Sequence, residues 1–184
     1  MISFTPLSPL QKVVVKVGTS LLTNADNTLN ESFFQNLVEQ LARLHHAKIS
    51  PLLVTSGSVA SGRSEVRLKK ESRNIPYRQA LSAVGQTLLM RRYHDLFAPK
   101  NIPVAQALLT ELDFRDRESF LNTRNTLELL LQMGVVPILN ENDVVSYSGL
   151  KFGGNDWLAA KVSVMIGADL LILMTDIDGL YSDD

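Results

Sequence analysis

Cysteine is absent from this chain of 184 residues. A disulfide framework, a thiolate metal site and a cysteine nucleophile are thereby excluded, and a reducing compartment is the natural setting. Long apolar runs are missing as well, since stretches such as Leu170–Met174 are far too short to span a bilayer. The first ten residues contain Pro6 and Pro9 and lack the basic-then-apolar layout of a secretory signal. Neither sign of charge dominates: 18 Lys plus Arg stand against 19 Asp plus Glu, for a net charge of -1. Such a balance creates no field that would gather nucleic acid or an anionic membrane, so an anionic ligand needs a local cluster of donors. The 3 histidines, His45, His46 and His94, share no metal-ligand spacing and read as surface or packing residues. A soluble cytoplasmic protein, without membrane or nucleic-acid partners in this region, is the expectation.

What the chain does contain is an ordinary globular composition, 45% hydrophobic and 20% charged, enough for one sizeable core. Residues 1–11 read as a tail and 12–184 as one domain. The β-branched run Lys12–Val17 predicts a first strand buried on both faces of a parallel sheet. Apolar residues at Phe33, Phe34, Leu37, Leu41 and Leu44 predict a helix over Asn30–Ala47 with Asn30 as its cap. A strand over Ile49–Thr55 follows, then helical stretches at Val59–Val66 and Gln79–Phe97 around a polar break at Leu68–Arg78. Ile102–Leu108 reads as a strand, Arg115–Met133 as a helix closed by Gly134, and Val135–Leu139 as a fourth strand. Asn140–Gly154 is polar, with room for a short hairpin, before a helix at Asp156–Ile166 and a fifth strand at Leu170–Met174. This alternation predicts an α/β fold, an open, mainly parallel sheet sandwiched between helices.

Ligands in such sheets bind beyond the carboxyl ends of the strands, where polar and small residues collect. Gly18, Thr19 and Ser20 can present backbone N–H groups and hydroxyls to a phosphate, with Lys16 adding positive charge. The spacing does not fit an ordinary P-loop, and Lys16 could equally snorkel to solvent. Ser56-Gly57-Ser58 precedes a helix, where it suits either an anion or a simple serine cap. Asn140-Glu141-Asn142-Asp143 concentrates amides and carboxylates that suit an ammonium group, or form a solvated turn. A metal on Glu141 and Asp143 is also open, although magnesium usually takes only one or two protein carboxylates beside substrate phosphates. Asp156 is placed to cap its helix or to orient a lysine. Thr175 and Asp176 carry the same ambiguity, and Trp157 reads as a core or interface aromatic.

The segments VVVKVGTS, VTSGSVASG, LSAVGQ, RESFLNTRNTL, VVPILNENDVV, KFGGNDWLAA and ADLLILMTDIDGLY resemble the amino-acid kinase family, and within it the glutamate 5-kinase branch. Their order and joint presence, from about Lys12 onward, separate that branch from acetylglutamate, aspartate, carbamate and uridylate kinases. The resemblance implies phosphoryl transfer from ATP, with Mg2+, to the γ-carboxylate of L-glutamate, the first step towards proline. It makes Lys16 and Asp156 catalytic, Lys16 stabilising the transferring phosphoryl group and Asp156 organising lysines. It assigns Ser56, Gly57, Asp143 and Asn155 to glutamate and Lys16, Gly18, Thr19, Thr175 and Asp176 to the nucleotide, with no metal held by protein groups alone. Feedback inhibition by proline and a homo-oligomer are implied too. Gly154 stands where the family usually has Asp. The family also continues past the position of Asp184, so the isolated 184 residues are expected to expose apolar sheet edge, associate, bind glutamate weakly and turn over negligibly. A non-catalytic amino-acid-binding or regulatory module of the same fold is the alternative.

Overall fold

A computed structural model describes residues 9–24, 28–66, 74–146 and 154–176. Five strands form one sheet: β1 (Lys12–Val17), β2 (Ser50–Thr55), β3 (Val104–Leu109), β4 (Val136–Glu141) and β5 (Leu170–Met174). Their order is β3-β4-β2-β1-β5, and every pairing is parallel. Seven helices connect them: α1 (Thr19–Leu22), α2 (Glu31–His46), α3 (Ser58–Glu65), α4 (Ile75–Phe97), α5 (Leu112–Arg115), α6 (Arg117–Gln132) and α7 (Asn155–Ile166). The expected α/β sandwich is therefore what forms. Among the described residues no helix is long and apolar enough to cross a membrane.

Alternation along the strands builds a core on each face. Val13, Val15 and Val17 of β1 pack with Leu53 and Ile138 against Phe34, Leu37 and Leu41 of α2 and Leu89, Tyr93 and Phe97 of α4. Val14 faces the other way, with Leu52, Val54 and Leu139, against Leu127 and Leu131 of α6 and Leu158, Val162 and Ile166 of α7. The helices start where local chemistry lets them. Asn30 Oδ1 accepts from the Phe33 N–H at 3.1 Å, the expected cap for α2. His45 is a packing residue as read, its Nε2 lying 2.8 Å from the Gly134 carbonyl.

Several boundaries differ from the sequence reading. α4 begins at Ile75 rather than Gln79, because Asn74 caps it through the Tyr77 N–H at 3.0 Å and a proline occupies its first turn. Residues 68–73 of the polar break lie outside the described residues. The helix expected over Arg115–Met133 is α6, Arg117–Gln132, and a separate short helix, α5, precedes it. Asp116 accepts from the Ser119 N–H at 2.7 Å and starts α6, while Asp113 accepts from Thr110 and supports α5. β4 runs on through Asn140 and Glu141, which are strand residues, not loop. Of the stretch Asn140–Gly154, which has room for a short hairpin, residues 147–153 lie outside the described residues. β5 is an edge of the described sheet and leaves Ile172 and Leu173 exposed.

One close approach organises the carboxyl end. α3 and α4 cross at Gly62 and Gly85, where a Cβ on Gly85 would lie 1.8 Å from the Ser58 carbonyl oxygen and one on Gly62 1.9 Å from that of Leu81. Backbone cannot yield to such overlaps, so Gly85→Ala is expected to cost more than about 3 kcal/mol in urea denaturation. At the opposite end of the sheet Asp169 Oδ2 accepts from the Lys12 N–H at 2.7 Å and the Gln11 N–H at 2.8 Å. These two bonds, that of Lys12 first, hold the carboxyl below the usual aspartate range. A depressed folded pKa gives stability that is present above the unfolded value and is lost as pH falls through the folded one. Asp169→Ala should therefore melt below the parent chain at pH 7, with the gap closing as the pH is lowered past about 4.

Candidate active site

The carboxyl ends of β1, β2 and β4 open onto a cleft of about 350 Å³. Ser56 and Gly57 line it from the β2–α3 turn, Asp143 from the segment after β4, Asn155 from the start of α7, and Thr19 from α1. Four residues assigned to glutamate thus share one cavity with one assigned to the nucleotide.

The strand period explains the flank of that cavity. Lys16 shares the face of Val14, so it emerges beneath α7. There its Nζ lies 2.6 Å from Asp156 Oδ1, the lysine being buried and the aspartate half exposed. The solvent-seeking alternative for Lys16 is not what forms. Asp156 pairs with the lysine, and Gly154 rather than Asp156 stands at the cap position of α7. Gly18 sits against the same ammonium, for a Cβ there would lie 3.4 Å from Lys16 Nζ. Thr175 and Asp176 follow β5, next to the end of β1, but both are exposed and neither lines the cleft. Thr175 Oγ1 donates to Asp176 Oδ1 at 3.4 Å.

A chain of amides ties the strand ends together. Asn155 Nδ2 lies 2.9 Å from the Thr55 carbonyl oxygen, 2.7 Å from Ser56 Oγ and 3.0 Å from Asn140 Oδ1. The Thr55 carbonyl can only accept, so the amide nitrogen must face it. Asn140 Oδ1 also accepts from the Glu141 N–H at 2.9 Å. That obligate donor sets the Asn140 amide, whose Nδ2 then donates to Gln86 Oε1 at 2.9 Å. Asn155 Oδ1 is left buried without a hydrogen-bond partner among the described residues. A buried acceptor of this kind carries a desolvation cost that a ligand N–H would remove.

Asp143 Oδ2 lies 2.6 Å from Ser82 Oγ and 3.2 Å from Ser58 Oγ. Ser58 therefore binds a carboxylate instead of capping its helix, the second of the uses read for that serine run. Behind it, burial pushes the Tyr93 phenol above its ordinary value. It remains neutral and pairs with Thr55 Oγ1 at 2.8 Å. Arg63 and Arg78 also line the cleft and were not singled out in the sequence. Arg63 follows Val59 and Ala60 at helical spacing on α3, a local signal for its place, whereas Arg78 reaches the cleft from α4 with no neighbour along the chain beside it. Gly154 has φ 65° and ψ -151°, a region almost restricted to glycine. No atom lies within 4 Å of a Cβ built there, so the backbone rather than crowding favours glycine at this position. Among the described residues no group of three or more His, Cys, Asp or Glu could hold a metal.

A family model described as the amino acid kinase family matches residues 11–184. The glutamate 5-kinase of Pelobacter propionicus is 44% identical over 175 residues, covering 95% of this chain and 47% of the relative. That of Clostridium acetobutylicum is 43% identical over 178 residues, covering 97% and 67%. The chain spans about half the length of the first of these relatives. A UMP kinase from Bacillus anthracis superposes with a TM-score of 0.61 at 14% identity, covering 96% of this chain and 70% of that one, a likeness of fold.

The Lys16–Asp156 pair makes a direct prediction. Asp156→Ala strands a buried ammonium and should destabilise the chain by about 1–2 kcal/mol in urea, less than for a fully buried pair because the aspartate is half exposed. Lys16→Met in the same background should recover most of that loss. A double variant no more stable than Asp156→Ala would mean that Lys16 does not depend on this carboxylate.

Proposed function

Since the chain belongs to the amino acid kinase family, we propose that its cleft holds L-glutamate for phosphorylation by ATP, giving γ-glutamyl phosphate. The observation that carries this reading is a set of acceptors in the cleft whose neighbour along α7, Asp156, holds a buried ammonium. Asp143 and Asn155 line the cleft as acceptors for an α-ammonium group, Asn155 Oδ1 having no hydrogen-bond partner among the described residues, while the buried Lys16 ammonium, outside the cleft lining, is held by Asp156, the next residue of α7. The similarity to proteins named glutamate 5-kinase supports the choice of amino acid.

The chemistry asks little of the protein in the way of proton transfer. A γ-carboxylate is already ionised at neutral pH and attacks phosphorus without a general base. One carboxylate oxygen forms the new P–O bond as the bond to the β–γ bridging oxygen breaks, and ADP leaves with that oxygen's electrons. The work is to bring two anions into line and neutralise the charge that develops. Ser56, Gly57 and the N-terminus of α3 receive the carboxylate end of glutamate, and Asp143 with Asn155 receives its ammonium. Lys16 supplies positive charge to the transferring group, with Gly18 and Thr19 giving the phosphates close backbone access. Thr175 and Asp176 begin the nucleotide side. Mg2+ enters with the phosphates of ATP and neutralises them when bound. Proline as a feedback inhibitor, a homo-oligomeric assembly and a cytoplasmic setting belong to the same reading and rest on the family resemblance.

Steady-state kinetics of the full-length protein test it. Asp143→Asn should raise the glutamate KM about 50-fold or more with the ATP KM nearly constant. Lys16→Met should lower kcat by at least about 100-fold. An unchanged glutamate KM in Asp143→Asn would remove the substrate from this cleft. Tight glutamate binding in calorimetry with no response to Mg-ATP would favour the non-catalytic module.

A further inference from the structure

Two residues of α4 reach both ligand-facing side chains of the cleft without lining it. Ser82 and Gln86 stand four residues apart, hence on one face of the helix, and both are buried, at 4% and 7% exposure. The Gly62–Gly85 crossing brings that face against α3 and the β4 end. Ser82 Oγ lies 2.6 Å from Asp143 Oδ2 and 2.9 Å from Ser58 Oγ. A hydroxyl has one proton, and the shorter contact, to a charged acceptor, claims it. Both serine contacts fall on Oδ2 of Asp143. A carboxylate anchored at one oxygen keeps the lone pairs of the other for a ligand. Gln86 acts through amides: its Oε1 takes the Asn140 Nδ2 proton at 2.9 Å, and Asn140 Oδ1 takes one from Asn155 Nδ2 at 3.0 Å.

We propose that Ser82 and Gln86 are positioning residues for the amino-acid substrate, Ser82 fixing the Asp143 carboxylate and Gln86 fixing Asn155 through Asn140. The proposal rests on the reading of Asp143 and Asn155 as the ammonium-binding groups. Neither α4 residue touches substrate. Both decide where its partners sit, so their loss costs binding of one substrate and not the other. A serine or glutamine that merely filled the core would instead lower stability and affect both substrates alike.

The test uses full-length protein carrying Ser82→Ala, Gln86→Met, Asp143→Ala and the Ser82→Ala/Asp143→Ala double variant, with glutamate and Mg-ATP varied separately. Ser82→Ala and Gln86→Met should each raise the glutamate KM about tenfold, the loss of one hydrogen bond to or behind a charged group. The ATP KM should stay within about twofold, and kcat should change less than the glutamate KM. In the Asp143→Ala background, Ser82→Ala should add almost nothing, because its target is gone. If Ser82→Ala melts below the assay temperature, Gln86→Met carries the same expectation by the amide route. Equal rises in both KM values, or additive effects of Ser82→Ala and Asp143→Ala, would overturn the proposal. So would silent Ser82 and Gln86 variants beside a crippled Asp143→Ala. A silent Asp143→Ala would instead overturn the underlying reading of the cleft.

Discussion

Side chains alternate across a sheet that is covered on both faces, and this alternation governs which helix each polar strand end meets. Thr55 and Asn140 share the parity of Leu53 and Ile138 and so turn towards α4, where Tyr93 and Gln86 satisfy them. Lys16 shares the parity of Val14 and turns towards α7, where Asp156 satisfies it. A slip of one residue in any strand would exchange these partners and leave buried polar groups unpaired. The apolar core and the polar crest above it are thus one arrangement. The period that fills the core with valine and leucine also sorts the amides from the ammonium.

The two sides of the cleft use different physics. On the α7 side a charge is taken out of water, and its cost is offset by one carboxylate that keeps half its surface in solvent. On the α4 side neutral amides and hydroxyls form a network whose orientation is anchored by two backbone groups, the Thr55 carbonyl and the Glu141 N–H. Within such a network each paired amide fixes the orientation of the next. Among the described residues the atoms of this network left without a partner, Asn155 Oδ1 and Gln86 Nε2, lie at the ends of the amide chain. Close packing of α3 on α4 supports the arrangement, since the glycine crossing lets Ser82 reach Ser58 and Asp143 together.

The α/β class, all five strands and the longer helices were legible in the chain, because apolar periodicity and capping act over a few residues. The apolar run Leu170–Met174 coincides with β5, and Asn30 caps α2. Local pattern misleads where a few polar residues join a regular element. Asn140 and Glu141 continue β4 because their backbones pair with β3, which no local polarity signal reveals. The start of α4 depends on Asn74 and a first-turn proline, a signal that was present but lay inside a polar stretch.

Sequence alone determined the order of strands and helices and the polar segments at the strand ends. It also carried the family resemblance, which implies roles for Lys16, Ser56, Asp143, Asn155 and Asp156. Only the tertiary structure decided that Lys16 is buried against Asp156, that Ser58 serves Asp143 rather than its own helix, and that Thr175 and Asp176 stand outside the cleft. It alone gave Ser82 and Gln86, within the LSAVGQ segment, their partners Asp143 and Asn140, and brought Arg63 and Arg78 to the cleft. The reason is physical: capping and periodicity are local, whereas a hydrogen bond between residues 61 or 100 positions apart exists only after the sheet has set its register and the helices have packed on its faces.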